Sequence, residues 1–137
     1  MIKTIVKDPI FLSIKSSPAF KEDYSIIQDL KDTLAFYQSE CLGMAANMIG
    51  VSKNIIIVTF QNSSLILINP KIIKFSGQIY NTMEGCLSHA TQREVKRYPK
   101  IKVEFEDEQF KKRIKTFEGL TAQIIQHEID HLNGILI

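Results

Sequence analysis

Apolar positions fall along this chain in two rhythms. Between about residues 21 and 39 they recur every three or four residues, at Ile26, Leu30 and Leu34, with Ile27 and Tyr37 beside them. That spacing predicts an amphipathic, core-facing helix, and Glu22 and Asp23 sit where its positive N-terminal end would be. The middle of the chain changes to short β-rich runs, Ile-Ile-Ile-Val-Thr-Phe at 55–60 and Leu-Ile-Leu-Ile at 65–68. Gln61-Asn62-Ser63-Ser64 between them predicts a hairpin. Asn69-Pro70 is expected to end the second run, and two more short strands, 71–75 and 78–83, are expected around Ser76-Gly77. Val103 and Phe105 alternate with Lys102, Glu104 and Glu106, which predicts a strand with one wet face. Asp107-Glu108-Gln109 turns it back into 112–117. The helical rhythm returns at the end, with Leu120, Ile124, His127 and His131 on one set of steps and Ile125, Ile129 and Leu132 on another. Asn133-Gly134 is a C-terminal stop signal for that helix.

Outside these segments the pattern is thinner. Residues 1–20 carry Pro9, Pro18 and Ser16-Ser17 and read as an extended lead-in. Small residues crowd Cys41-Leu42-Gly43-Met44-Ala45-Ala46-Asn47-Met48-Ile49-Gly50, where backbone can run close to another element. There are no repeats or linkers. The order of elements predicts an α+β fold: a single compact domain over residues 1–137, with antiparallel strands packed around a buried C-terminal helix that binds metal.

Composition narrows the functional classes. With 137 residues, 45% apolar and 23% charged, the chain has the make-up of one ordinary globular domain. A net charge of +2 gives no field suited to nucleic acid or an acidic membrane surface. Lys111-Lys112-Arg113 fits a hairpin turn better than a phosphate grip. The first nine residues are charged too early and too often for a signal peptide, and no apolar run reaches the length of a membrane span. A cytoplasmic protein is expected, with Cys41 and Cys86 as thiols.

The chemistry concentrates in Gln126-His127-Glu128-Ile129-Asp130-His131. On a helix, histidines four apart lie one turn apart on one face, where both imidazoles can hold a single ion. Glu128, next to the first of them, can reach a water at that ion without being a ligand. This H-E-x-x-H pattern serves water attack on a carbonyl. Two histidines on a surface helix would be unremarkable, but these lie within an apolar helix. Burying such groups without a task costs on the order of 1–3 kcal/mol each. A catalytic site of this kind wants a third protein ligand. Cys86, which follows a strand and a glycine, is a candidate, while Cys41, His89, Glu84 and Asp130 also fit the arithmetic. A buried, unreactive thiol is the alternative for either cysteine. An ordinary metallopeptidase would take its third ligand downstream, and Leu132 to Ile137 offer none.

Three segments together resemble the peptide deformylase family. Glu84-Gly85-Cys86-Leu87-Ser88 matches E-G-C-L-S in full, Gln126 to Leu132 matches Q-H-E-x-D-H-L in full, and Gly43 to Gly50 matches G-x-G-x-A-A-x-Q in part. The resemblance implies that Cys86, His127 and His131 hold one divalent ion, Fe²⁺ by family habit, with Zn²⁺, Ni²⁺ or Co²⁺ able to replace it. It implies Glu128 as general base and then acid, the Leu87 backbone N–H as a donor to the oxyanion, and Gly43 as the place where substrate backbone comes near. The substrate would be an N-formylmethionyl peptide or a nascent chain N-terminus, with the ribosome as a further partner. Asp130 would support the ligands, and Glu84 with Arg97 would brace the cysteine loop. Two positions depart from the family. Cys41 stands where it has Gly, and Met48 where it has Gln, whose amide would be a second oxyanion donor. Methionine has no N–H, and losing one such donor costs about 100- to 1,000-fold in kcat. The resemblance therefore implies a slow or altered deformylase, with a non-catalytic, metal-holding relative that binds N-termini as the alternative.

Overall fold

The computed structural model describes residues 1–137. The lead-in is less featureless than its sequence suggests. One helical turn, α1 (Pro9–Leu12), interrupts it, capped by Asp8, whose Oδ1 accepts the Ile10 N–H at 3.0 Å. Proline at the first helical position gives up no hydrogen bond, which is why the turn can start there. A 3₁₀ turn at Lys21–Asp23 then leads into α2 (Tyr24–Phe36), which buries Ile26, Ile27, Leu30 and Leu34, as read from the spacing, together with Thr33, while Tyr37 falls just past its end and is half-buried.

Seven strands follow: β1 (Gly43–Ala45), β2 (Ile55–Phe60), β3 (Ser63–Ser76), β4 (Tyr80–Cys86), β5 (His89–Arg97), β6 (Lys100–Glu106) and β7 (Lys112–Glu118). A 3₁₀ turn, Ala46–Ile49, joins β1 toward β2, and α3 (Gly119–Leu132) closes the chain. The main sheet is antiparallel in the order β1-β2-β3-β6-β7, and β4 and β5 form a separate two-stranded ribbon. This is the α+β class expected. No helix is long and apolar enough to cross a membrane.

One strand expectation is corrected. Asn69-Pro70 does not end a strand; β3 runs through it as a single 14-residue strand. The register slips between Ile68 and Lys71, Asn69 takes a φ of +51°, and Pro70 falls at the resulting bulge, where its missing N–H is tolerated. Asn69 stabilises the bend by accepting the Ala19 N–H at 2.8 Å and donating to Glu106 at 2.6 Å. The segments on either side of Ser76-Gly77 are strands as expected, the end of β3 and β4, and they lie in different sheets. Residues 71–76 pair with β6, whereas β4 pairs with β5, so the turn hands the chain from one sheet to the other. The ribbon strand β5 carries no apolar alternation because most of its residues are exposed, so nothing in its pattern announced it.

The apolar run of β2 has no alternation for the opposite reason: both of its faces are covered. Ile55 and Ile57 pack with Leu30, Leu34 and Met44 on the α2 side. Ile56 and Val58 pack with Val103, Phe117, Ala122 and Ile125 on the α3 side. The sheet thus lies between two helices, and α3 is buried along the face that carries the histidines. Gly134, with φ +76°, ends α3, and a side chain there would meet the Ser13 carbonyl at 2.3 Å.

Candidate active site

Helix geometry places Gln123, His127 and His131 on one stripe of α3, four residues apart. That stripe faces the end of β4, where Glu84 and Cys86, two residues apart on a strand, both reach it. The Cys86 sulfur and one ring nitrogen of each of His127 and His131 lie within 4.8 Å of one another. The two Nε2 atoms are 3.0 Å apart, and Cys86 Sγ is 3.3 Å from His131 Nε2. Of the candidates for a third ligand, the structure brings Cys86 to the pair. Cys41 lines the same cavity without joining the group. His89 lies with its ring centre 6.1 Å from that of His131, nearly parallel to it.

Glu84 is the carboxylate that supports a histidine. His127 Nδ1 donates to Glu84 Oε1 at 2.7 Å. Arg97 clamps the same carboxylate with two bonds, Nη2 to Oε1 at 2.7 Å and Nε to Oε2 at 3.0 Å, so the expected pair is present and buried. Gln123 Nε2 adds a bond to Oε2 at 3.0 Å, and the Tyr80 hydroxyl donates to Gln123 Oε1 at 3.2 Å. The expectation that Asp130 supports the ligands directly is corrected. Asp130 accepts from Arg97 Nη1 at 2.7 Å, on the β5 side of α3, and braces the clamp from outside. Sequence reasoning missed Gln123, although its position four residues before His127 was a signal that it shares the stripe. Gln126 pins the helix by donating to the Tyr98 carbonyl at 2.8 Å and accepting the Tyr98 N–H at 2.9 Å.

Burial and close partners shift the titration of the group strongly. Burial alone would raise the Glu84 pKa, yet bonds from His127 and Arg97 hold it at about 2. Burial opposes a charge on His127, but the Cys86 sulfur and Glu84 outweigh it and push its pKa to about 10. His131 goes the other way, to about 3, through burial and the adjacent His127. One sulfur and two nitrogens, converging and buried, are a donor set that suits a divalent ion, whose binding displaces protons from such ligands. Their separations are near the value of about 3.4 Å for two nitrogens on a tetrahedral ion. The residues fit a metal.

A cavity of about 480 Å³ opens onto this group, lined by Glu128, His127 and Cys86, by Gly43, Met48 and Leu87, and by apolar Leu42, Met83, Leu120 and Ile124. Glu128 is buried, and its Oε1 has no partner within the chain. Burial pushes its pKa up to about 7, with His127 pulling down. Gly43 brings β1 against α3: a Cβ there would stand 2.6 Å from Ile124 Cγ2 and 3.1 Å from Glu128 Oε2, so a larger residue must displace Ile124 and would crowd the carboxylate. Met48 is buried and lines the cavity with no donor. The neighbouring amide does not substitute for one, because Asn47 Nδ2 donates to the His131 carbonyl at 2.8 Å. The Cys41 thiol is raised to about 12 by burial and by the charge on Glu128, which keeps it protonated.

The family model described as polypeptide deformylase matches residues 2–137. A peptide deformylase of Clostridium beijerinckii is 50% identical over 137 residues, spanning 100% of both chains. The Met-Ala-Ser-bound class I type b peptide deformylase of Acinetobacter baumannii superposes with a TM-score of 0.89 at 28% identity, covering 99% of this chain and 97% of that one. The peptide deformylase of Thermotoga maritima gives a TM-score of 0.88 at 30% identity, covering 99% and 95%. Matched along its whole length in sequence and in fold, the chain belongs to the polypeptide deformylase family, metal-dependent hydrolases that act on N-formylmethionyl peptides.

Proposed function

We propose that this chain removes the formyl group from N-formylmethionyl peptides, including nascent chain N-termini at the ribosome, with Cys86, His127 and His131 holding one Fe²⁺. The observation that carries the reading is the convergence of one sulfur and two ring nitrogens at the cavity that also holds Glu128. Zn²⁺, Ni²⁺ and Co²⁺ suit the same donors. When bound, the ion acidifies water and polarises the formyl carbonyl.

The rest belongs to the chain's own residues. Glu128 takes the proton of the attacking water as a new carbon–oxygen bond forms at the formyl carbon. It then returns that proton to the amide nitrogen as the carbon–nitrogen bond breaks, releasing a free methionyl amine and formic acid, which gives up its proton to become formate. The Leu87 N–H donates to the oxygen that gains charge. Gly43 on β1 lets the peptide backbone come near, and the apolar wall takes the methionine side chain. Glu84, Arg97 and Gln123 hold His127 in one orientation. Met48 leaves the oxyanion one donor short, and this observation favours a second reading, a relative that retains metal and N-terminus binding with little turnover.

Protein purified without oxygen should release formate from a formyl-Met tripeptide, lose that activity to a chelator, and regain it with Fe²⁺ or Ni²⁺. No formate at high enzyme concentration with either metal loaded retires the catalytic reading in favour of the second. Met48→Gln is expected to raise kcat about tenfold or more, short of the 100- to 1,000-fold of an ideally placed donor. An unchanged rate would mean that another group already fills the role.

A further inference from the structure

The two imidazoles of the site are supported unequally. His127 gives its Nδ1 proton to Glu84, which Arg97 and Gln123 hold in turn. His131 is fully buried and turns Nε2 toward Cys86 and His127, while its Nδ1 has no partner within the chain. An imidazole that offers Nε2 to a metal carries its proton on Nδ1, and a buried N–H without an acceptor is destabilising. Ligand histidines ordinarily give that proton to a carboxylate, a carbonyl or a water.

A second buried nitrogen beside it also lacks a partner: Nε2 of His89. The rings of His89 and His131 are inclined by 17°, with centres 6.1 Å apart. No direct bond joins them; rings with centres this far apart can bring facing nitrogens to about 4–5 Å, the span of two bonds of about 2.9 Å that meet at one water. The chain puts His89 there because it is the cross-strand partner of Cys86 at the β4–β5 turn, so it flanks the sulfur ligand. The surroundings are polar enough for a water. Asn47 Oδ1 and Ser88 Oγ are buried without partners as well, and the Asn47 amide nitrogen is already bonded to the His131 carbonyl.

We propose that His89 is a positioning residue for His131: a buried water accepts the His131 Nδ1–H and donates to His89 Nε2, fixing the plane and tautomer of that ligand. The inference rests on the reading of Cys86, His127 and His131 as the metal ligands. It gives the third histidine of the chain a task that the deformylation scheme leaves unassigned.

Chelator competition against Co²⁺-loaded protein tests it, with the Co²⁺ absorption bands reporting coordination geometry. His89→Phe keeps a ring and removes the nitrogen; it is expected to weaken Co²⁺ binding about 10- to 100-fold and to shift the bands. His89→Gln carries a polar atom to the place of Nε2 and should restore both readouts toward the parent's. Parent-like binding by His89→Phe, or equal weakening by His89→Phe and His89→Gln, overturns the proposal, since a packing role alone predicts one or the other. The parent supplies an arm that needs no variant. In Zn²⁺-loaded protein the ¹⁵N spectrum of His131 should show a protonated, slowly exchanging Nδ1, and a freely exchanging Nδ1–H overturns the water bridge. A parent that binds no Co²⁺ ends the ligand reading itself, an outcome distinct from a loss confined to His89→Phe.

Discussion

Glu128→Ala is expected to lower kcat for formate release by about 10²- to 10⁴-fold while leaving metal affinity unchanged, the range of a lost general base. Glu128 is buried beside His127, with one oxygen unpartnered and the other against Gly43, so it faces the cavity without belonging to the ligand group. Burial raises its pKa to about 7, so its carboxyl exchanges a proton readily near neutral pH. Glu128→Gln tests the same role with the shape of the side chain retained, so a shared loss of rate in both variants separates chemistry from packing. Formate release and metal content, measured on the same preparations, provide the check. A variant that keeps its metal and the parent's rate would remove Glu128 from the mechanism.

Arg97→Ala is expected to cost about 3–5 kcal/mol of folding stability, the usual consequence of stranding a buried charge. The guanidinium makes two bonds to Glu84 and one to Asp130, and Arg97 and Glu84 are both buried. With Arg97 gone, the Glu84 carboxylate keeps its burial and loses both guanidinium bonds. Urea unfolding at neutral pH measures the loss, and adding Glu84→Gln should recover part of it because the stranded charge is then removed as well. A loss below about 1 kcal/mol would assign Arg97 the small effect of a solvated charge. The parent carries a pH signature of the same clamp. The Glu84 pKa is depressed in the folded state, from 4.5 to about 2. Its contribution is therefore fully present above about pH 4.5 and is lost as the pH falls toward 2. Glu84→Gln should flatten that part of the stability curve.

Periodicity carried the reading wherever one face of an element meets the core. The stripe of α2, the alternation of β6 and the stop at Asn133-Gly134 all lie as the spacing predicts. Alternation is silent where burial is symmetrical. β2, covered on both faces, was read instead from its β-rich composition, whereas β5, covered on almost neither, went unseen. Asn69-Pro70 reads as a terminator because local preference cannot tell the end of a strand from a bulge within one. Only the pairing partner β6 distinguishes the two.

The site divides in the same way. The spacing of His127 and His131 and the adjacency of Glu128 follow from helical geometry, so four positions of sequence determine which groups share a face. The fully matched segment around Cys86 pointed by resemblance to that residue as the candidate third ligand. What sequence could not supply was the relation between elements far apart in the chain. Cys86 and Cys41 were equal candidates by count, and it is the docking of the β4–β5 ribbon on α3 that brings one sulfur to 3.3 Å from His131. That docking also makes Glu84, and not the nearer Asp130, the partner of His127, and sets His89 beside His131. The physical reason is directional. A helix fixes the angles between its own side chains, but hydrogen bonds and ligand sets close across elements, and their partners are known only once the backbone has been packed.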